Sequence, residues 1–266
     1  MQDTLALYFR LVSVCLRSKM QYRASFVLLS AGQFFSLALE FLAIWALFAR
    51  FGSLKGWSLA EIGLFYGVTH GSFAVAEVIG RGFDTFSDMI KSGDFDRFLL
   101  RPRGTVLQVA GREFDGRLGR LAQSAVVFAW AIKSLPIAWD AGKVALLGAM
   151  FIGGVCLFYG LFVLQATMSF WTIETLEIMN AVTYGGTETG QYPLTIYKPW
   201  FRSIFTFVIP LACVNYLPAG LLFGHSAMSS MGTALLAISP VAGLLFLGLS
   251  LLSWQYGVKR YCSTGS

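Results

Sequence analysis

VALLGAMFIGGVCLFYGLFVLQATMSF, residues 144–170, is a run of 27 residues without a single charged side chain. About 20 apolar residues in a helix are enough to cross the ~30 Å hydrocarbon core of a bilayer. Only helices and closed barrels satisfy their backbone hydrogen bonds in that core. Because the stretch lacks strict period-two alternation, it predicts a membrane-spanning helix rather than a barrel strand.

Five further apolar runs have a similar length, at about 24–49, 59–79, 118–139, 203–222 and 233–254. The 266-residue chain is 56% hydrophobic and only 13% charged, whereas soluble domains carry about 25% charged residues. Its mean hydropathy is +0.65. We therefore predict an all-α integral membrane protein in which residues 1–266 form one domain with six transmembrane helices.

The basic residues predict the orientation, because cytoplasmic loops carry an excess of Lys and Arg. If the N-terminus is cytoplasmic, six spans place 16 basic residues inside and 4 outside. The inside residues are Arg10, Arg17, Lys19, Arg23, Arg81, Lys91, Arg97, Arg101, Arg103, Arg112, Arg117, Arg120, Lys198, Arg202, Lys259 and Arg260. Both termini are then cytoplasmic. This topology accounts for the net charge of +6, so no nucleic-acid partner is needed.

Two segments outside the spans have a pattern of their own. Residues 3–20 repeat apolar residues at helical spacing, which predicts an interfacial helix on the cytoplasmic leaflet, although a loose soluble leader remains an alternative. Residues 216–232 are apolar but carry Pro218, Gly220 and Gly224, which would break a continuing helix. This pattern predicts a re-entrant segment between spans five and six, with an ordinary loop as the alternative. Residues 171–200 are expected to be a turn-rich cytoplasmic link between spans four and five.

The interval 80–117, between spans two and three, is the longest charged stretch of the chain. A short helix is predicted to end near Gly93, and Asp94 is predicted to cap a second one that Pro102 stops. Aromatic and arginine side chains carry much of the energy of protein interfaces. The interval therefore suits a protein partner, although a solvated loop that only sets topology is also open.

Polar groups inside the predicted spans are candidates for the transport pathway. We single out Glu40, Gln33 and Gln165, with His70 as a weaker candidate. Glu77 lies four residues before Arg81 and is predicted to pair with it. For Glu40 the sequence leaves open a structural hydrogen bond or a role in cargo binding or gating. The four cysteines are far apart and show no metal or disulfide spacing.

Four motifs, in this order and spacing, resemble the ABC-2 type transporter permeases, in particular the small six-span bacterial permease subunits. They are SGDFDRFLLRP (92–102), QYPLTIY (191–197), FVIPLACVNYLPA (207–219) and YGVKRYCSTGS (256–266). The resemblance covers nearly the whole chain. It implies a coupling helix between spans two and three that seats in a groove of a separate ATPase subunit. The expected coupling residues are Ile90, Gly93, Asp94, Phe95, Asp96, Arg97, Phe98, Leu99, Leu100, Arg101 and Pro102.

In that coupling helix, Phe95, Phe98 and Leu99 are expected to form an apolar plug. Asp94, Asp96, Arg97 and Arg101 are expected to supply polar contacts. The resemblance further implies an exporter in the cytoplasmic membrane, made of a dimer of ATPase subunits and two permease chains, identical or related. Membrane lipids surround the permease. ATP and Mg²⁺ bind in the partner ATPase, so this chain is expected to bind no cofactor.

Other function classes fit the sequence less well. The chain has no G-x-x-x-x-G-K-[ST] nucleotide loop and no H-E-x-x-H or G-x-S-x-G pattern, so we expect a permease subunit rather than an enzyme. A secondary transporter without ATPase is the alternative, but it predicts inverted repeats, and the charged interval 80–117 would have no use in it. A hydrophobic or amphipathic cargo suits the apolar spans.

Overall fold

The computed structural model describes residues 2–113, 118–172, 176–224 and 232–263. Every regular element within these ranges is a helix, and none is a strand. The α-helices are α1 Gln2–Lys19, α2 Arg23–Phe51, α3 Leu59–Asp84, α4 Phe86–Lys91, α5 Asp94–Leu99, α6 Thr105–Ala110, α7 Leu118–Ser134, α8 Ala141–Met168, α9 Leu176–Gly190, α10 Pro199–Ser203, α11 Leu217–Phe223, α12 Thr233–Ile238 and α13 Val241–Arg260. The predicted all-α class is confirmed.

Several of these helices are long and apolar enough to cross a membrane. In the described residues four segments qualify, namely Arg10–Phe51, Leu59–Lys91, Ala141–Met168 and Val241–Arg260. A fifth qualifies if Pro199–Val208 and Ala212–Phe223, which are bent by 86° relative to each other, form one span. Helix α7 has 17 residues, about 26 Å at 1.5 Å per residue. The structure therefore has the helices of a membrane protein, and the count of six spans remains a prediction.

Helix α3 is the centre of the bundle and is buried along most of its length. It begins with a capping box, in which the Ser58 side chain accepts from the Glu61 backbone and the Glu61 carboxylate accepts from the Ser58 backbone. It packs mainly against α7 and α8. At Gly67 a side chain would overlap Phe128 of α7, so glycine permits the close approach of the two helices.

The bundle has two ends that are easily told apart. One end carries the α2–α3 connection around Lys55, and we call it the α2–α3 end. The other carries α4, α5 and α6, together with the C-terminal ends of α8 and α13, and we call it the α5 end. Helix α1 also lies at the α5 end, because Cys15 Sγ donates to the carbonyl of Arg112 at 3.3 Å. The predicted helix at 3–20 is confirmed as a helix, and its interfacial position remains a prediction.

The segment 171–200 differs from the expected turn-rich link. Its residues 185–190 belong to helix α9, in which the hydroxyls of Thr187 and Thr189 donate back to the carbonyls of Thr183 and Gly185. These hydrogen bonds give the buried threonine hydroxyls a partner within the helix.

Helix α9 also runs from one end of the bundle towards the other. Asn180 lies beside Gln165 near the α5 end, at 3.2 Å. Beyond the helix, the carbonyl of Thr195 accepts from Lys55 Nζ at 3.1 Å. The prediction that residues 171–200 form a link on the cytoplasmic side, opposite the α2–α3 connection that carries Lys55, is therefore wrong for the part around Thr195.

The run 203–222 is not one continuous helix, so that prediction is also wrong. It breaks around Pro210 between two π-helical turns, Ile204–Val208 and Ala212–Tyr216, because proline lacks an N–H and kinks a helix. Pro218, expected to break the helix, lies in the first turn of α11, where its missing N–H is tolerated. The helix ends at Gly224, whose φ is +67°. In the predicted re-entrant segment 216–232, residues 225–231 lie outside the described residues.

Candidate functional site

A short helix, α5, lies at the position predicted for the coupling helix, but one of its expected surface residues is buried. Gly93, at φ +71°, is the N-cap of α5, and Asp94 is the first residue of the helix, so the prediction that the Asp94 side chain caps it is wrong. Phe95 is fully buried, so its predicted place in an exposed apolar plug is wrong. The reason is tertiary, because four aromatic rings from other parts of the chain surround it.

These rings form what we call the aromatic anchor, which consists of Phe86, Phe95, Phe170, Trp254 and Tyr261. The Phe95 ring centroid lies 5.0 Å from that of Phe86, 5.5 Å from Phe170, 6.2 Å from Trp254 and 5.1 Å from Tyr261. Edge-to-face pairs at such distances stabilise beyond simple area burial. The anchor therefore fastens α5 to the ends of α8 and α13.

The other face of α5 points away from the bundle. Leu100 is 87% exposed and Leu99 is 41% exposed, and the side chain of Arg97 is 80% exposed. The Arg101 guanidinium covers the Phe98 ring at 4.9 Å, and Pro102 follows as an exposed residue. We call Arg97, Leu99, Leu100 and Arg101 the exposed tip. It combines apolar and cationic groups at one place.

The acidic residues of the segment are engaged within this chain. Asp94 lies 3.6 Å from Arg112 and 3.5 Å from Arg97. Asp96 accepts from the hydroxyl of Ser263, in the tail after α13, at 2.6 Å. These contacts help to hold α5 in place, so the exposed tip is mainly basic.

The connection after α5 is held in the same way. The amide of Gln108 donates to the carbonyls of Phe98 and Arg103 at 3.2 and 2.9 Å. Both bonds fix the turn that carries the exposed tip, and Ile90, at the start of the predicted segment, is buried.

A layer of paired charges lies inside the bundle above α5. Glu77 is buried and lies 3.7 Å from Arg81 and 3.9 Å from Arg120, which confirms the predicted Glu77–Arg81 pair. Arg81 also pairs with Asp84. Each carboxylate of this layer therefore has a guanidinium beside it.

Two of the predicted pathway residues have other surroundings. Gln165 is buried, and its amide donates to Asp84 at 3.1 Å and to Asn180 at 3.2 Å. These bonds join α8 to α3 and α9, which is a structural position. Gln33 is partly exposed in a surface groove that Arg120 also lines.

A second polar group lies further along α3 and contains the third predicted residue, Glu40. Its Oε1 atom is 4.0 Å from Nε2 of His70, which is fully buried. The same Nε2 is 3.3 Å from Oε1 of Gln191. The Gln191 amide donates to Glu188 at 2.7 Å. We call these four residues the Glu40–Glu188 cluster, and it joins α2, α3 and the end of α9.

Sequence reasoning missed Glu188 and Gln191, because both were placed in a cytoplasmic link. It also missed Asn215, which follows the break at Pro210. The Asn215 amide donates to Thr69 Oγ1 and to the carbonyl of Gly190, each at 2.8 Å. An Asn between two prolines, Pro210 and Pro218, inside an apolar run was the signal that was available.

A comparison with models of protein families identifies the family of the chain. A model of the ABC-2 family of transporter proteins matches residues 34–265. The chain belongs to the ABC-2 transporter family. Searches of curated proteins and of solved structures gave no match to it.

Members of the ABC-2 family are generally the membrane permease components of ABC transporters and work with an ATPase partner. They are not catalytic themselves. Within the described ranges, no group of three or more His, Cys, Asp or Glu side chains is placed to hold a metal ion. The features of this ABC-2 protein that bear on function are therefore the exposed tip, the aromatic anchor and the polar groups inside the bundle.

Proposed function

We propose that this chain is the permease subunit of an ATP-driven exporter in the cytoplasmic membrane. It moves a hydrophobic or amphipathic cargo, together with a separate dimer of ATPase subunits and a second permease chain. The observation that carries the proposal is the exposed tip, which is presented by a helix whose opposite face is buried. The ATPase docks there, and α5 is the coupling helix.

The exposed tip has the properties of a docking surface. A six-residue helix is far too short to be stable alone, yet α5 is held by the aromatic anchor and by the Asp94 and Asp96 contacts. Leu100 projects into water, and burying a leucine side chain stabilises a complex by about 1.5–3 kcal/mol. The neighbouring arginines provide the charged contacts that interface centres favour. The tip is thus preorganised for a groove with acidic residues at its rim.

The aromatic anchor supplies the mechanical link from the ATPase to the spans. Phe95 packs on Phe170 and Trp254, which lie at the ends of α8 and α13. A displacement of α5 is therefore passed to two long helices. ATP drives export because it binds best to the ATPase arrangement that fits one of the two permease conformations.

The contacts also support a specific topology with six crossings. Helices α2, α3, α7, α8 and α9, and the pair α12 and α13, each cross once. Residues 199–223 enter and leave at the α2–α3 end. Lys198 and Arg202 then lie outside, which changes the basic residues from 16 and 4 to 14 and 6. The excess at the α5 end still predicts a cytoplasmic location for that end and for both termini.

The re-entrant hairpin suits a gate at the outer mouth of the pathway. Its irregular backbone is shielded, since Ile209, Leu211 and Val214 are buried, as a break inside a membrane requires. Asn215 fixes the hairpin to α3 and α9. The chain supplies half of the pathway, with Glu40 and Gln33 on its wall, and the second permease chain supplies the other half.

Affinity purification from a mild detergent, with the bound proteins identified by mass spectrometry, tests the proposal. The wild type is compared with Leu100→Asp and with Cys262→Asp, which adds the same charge to another exposed position at the α5 end. We expect an ATPase with the wild type and with Cys262→Asp. We expect a more than tenfold loss with Leu100→Asp, because a buried unpaired carboxylate is costly.

Equal recovery of the ATPase with Leu100→Asp would refute the docking site. Absence of any ATPase from all three preparations, under conditions that preserve membrane complexes, would refute the ATP-driven mechanism in favour of a secondary transporter.

A further inference from the structure

The two carboxylates of the Glu40–Glu188 cluster have no cationic side chain in direct contact. Among the described residues, no Lys or Arg side chain forms an ion pair within 4 Å of either one. The Oε1 atom of Glu40 is buried and accepts no hydrogen bond. The layer around Glu77 differs, since Arg81 and Arg120 lie beside its carboxylate. The fold thus places guanidinium groups directly against one acidic layer, whereas Arg120, which contacts Glu77, acts on Glu40 only from beyond ion-pair distance.

The cluster lies deep in the bundle. His70 is 11 residues after the start of α3 at Leu59, which is about 16 Å along the helix. The hydrocarbon core is ~30 Å thick, so the cluster is near its middle. Ionised side chains at this depth are rare and mark pathways or ligand sites.

His70 does not supply the missing charge. Its ring is fully buried and stacks on Tyr66 with the centroids 4.1 Å apart. A neutral ring that is protonated at Nε2 can donate to Gln191 Oε1, and the Nδ1 atom has no hydrogen-bond partner. A second proton on Nδ1 would be buried without an acceptor. The ring therefore presents a neutral donor to the carboxylate side.

The cluster is also open to an external group. The Glu40 side chain is 32% exposed and Glu188 is exposed. A metal ion fits poorly, because the described residues contain no group of three or more His, Cys, Asp or Glu arranged for one. An organic cation fits better, because two carboxylates from different helices can share a diffuse positive charge while the apolar body contacts the surrounding helices.

We propose that Glu40 and Glu188 bind the positively charged group of the cargo, so that the protein transports amphipathic organic cations. This inference rests on the proposed transport function and adds its substrate class. In the cargo-bound protein, both carboxylates are then paired with the positive charge of the cargo. The Gln191 amide donates to Glu188 and orients its carboxylate. The His70 ring packs beside the Glu40 carboxylate, with Nε2 4.0 Å from Oε1.

Equilibrium binding to the full chain in phosphatidylcholine nanodiscs tests the inference. The probes are tetraphenylphosphonium and tetraphenylborate, which have nearly the same size and apolar surface but opposite charge. Empty nanodiscs give the partitioning into lipid. The variants are Glu40→Gln and Glu188→Gln, which keep the side-chain shape. Asp88→Asn, an exposed acidic residue of α4, is the matched control.

We expect saturable binding of tetraphenylphosphonium to the wild type and to Asp88→Asn, and none of tetraphenylborate. Each glutamine variant should weaken the binding at least tenfold. Unchanged binding in both glutamine variants, equal binding of the borate, or no saturable binding of the phosphonium would overturn the inference. The third result would point to a site for protons only.

Recovery of the ATPase from the same cells separates this inference from the proposed function. Copurification of the ATPase without saturable phosphonium binding refutes the cation site and leaves the permease function standing. Phosphonium binding without an ATPase refutes the ATP-driven function and leaves the site standing.

Discussion

Replacing Phe95 by alanine should detach α5 from the bundle without removing any residue of the exposed tip. The ring is fully buried and lies 5.0–6.2 Å from four other rings. Replacement of a buried phenylalanine by alanine costs about 3–5 kcal/mol. Since α5 has only six residues, most of this cost falls on its seating. The ratio of seated to unseated α5 should fall roughly 100-fold to 4,000-fold, because 1.4 kcal/mol is tenfold.

Hydrogen exchange measured by mass spectrometry gives the direct readout, since amides exchange through local opening. In Phe95→Ala, residues 94–101 should exchange at least tenfold faster, while peptides from the interior of α3 keep their protection. Phe207→Ala is the control, because Phe207 is 84% exposed and the same atoms are removed without a cavity. If exchange of residues 94–101 changes less than threefold in Phe95→Ala, the aromatic anchor does not hold the helix.

Three further predictions concern the rest of the bundle. Asn215→Leu should lower the free energy of unfolding by about 1–3 kcal/mol, because it removes two buried hydrogen bonds worth about 0.5–1.5 kcal/mol each, although Thr69 still donates to the Gly190 carbonyl; an unchanged melting curve would contradict this. Gly119→Ala should reduce the amount of folded protein in detergent chromatography, since the new methyl group would overlap the carbonyl of Ser30 in α2, while Gly148→Ala, with open space around it, should behave like the wild type. Lys198→Cys in a chain whose native cysteines are replaced should react with an impermeant maleimide added outside intact cells, and labelling only after permeabilisation would disprove the crossing by α9.

The coupling segment shows how far sequence reasoning reached. Gly93 was expected at a helix end and has the positive φ that favours glycine there. The two short helices were expected as well, because Gly93 and Pro102 are local signals for helix ends, whereas the predicted cap, Asp94, is the first residue of α5. The prediction of which face α5 buries was wrong. Phe95 and Phe98 have the same side chain, so the sequence alone does not tell which of them is buried. Rings that lie far along the chain, Phe170, Trp254 and Tyr261, make Phe95 rather than Phe98 the anchor.

The apolar run 203–222 shows the same limit of sequence reasoning. Pro210 and Pro218 both predict a break, and the sequence offers no way to rank them. The structure places the bend at Pro210, while Pro218 lies in the first turn of α11, and Asn215 after the bend is held by Thr69 and Gly190 from two other helices. The position of a break in a membrane depends on which neighbours can satisfy the freed backbone and side chain.

By itself, the sequence determined the class of this protein. Long apolar runs indicate helices that can cross a membrane, basic residues predict which side faces the cytoplasm, and turn residues mark helix ends. All of these are properties of short segments. Tertiary structure alone decided which polar residues share a site. Glu40 and Glu188 are 148 residues apart in the chain and became neighbours because α9 packs back along α3 and α8. The free energy of a buried charge depends on what lies within a few ångströms of it, and that distance is set by helix packing rather than by position in the sequence.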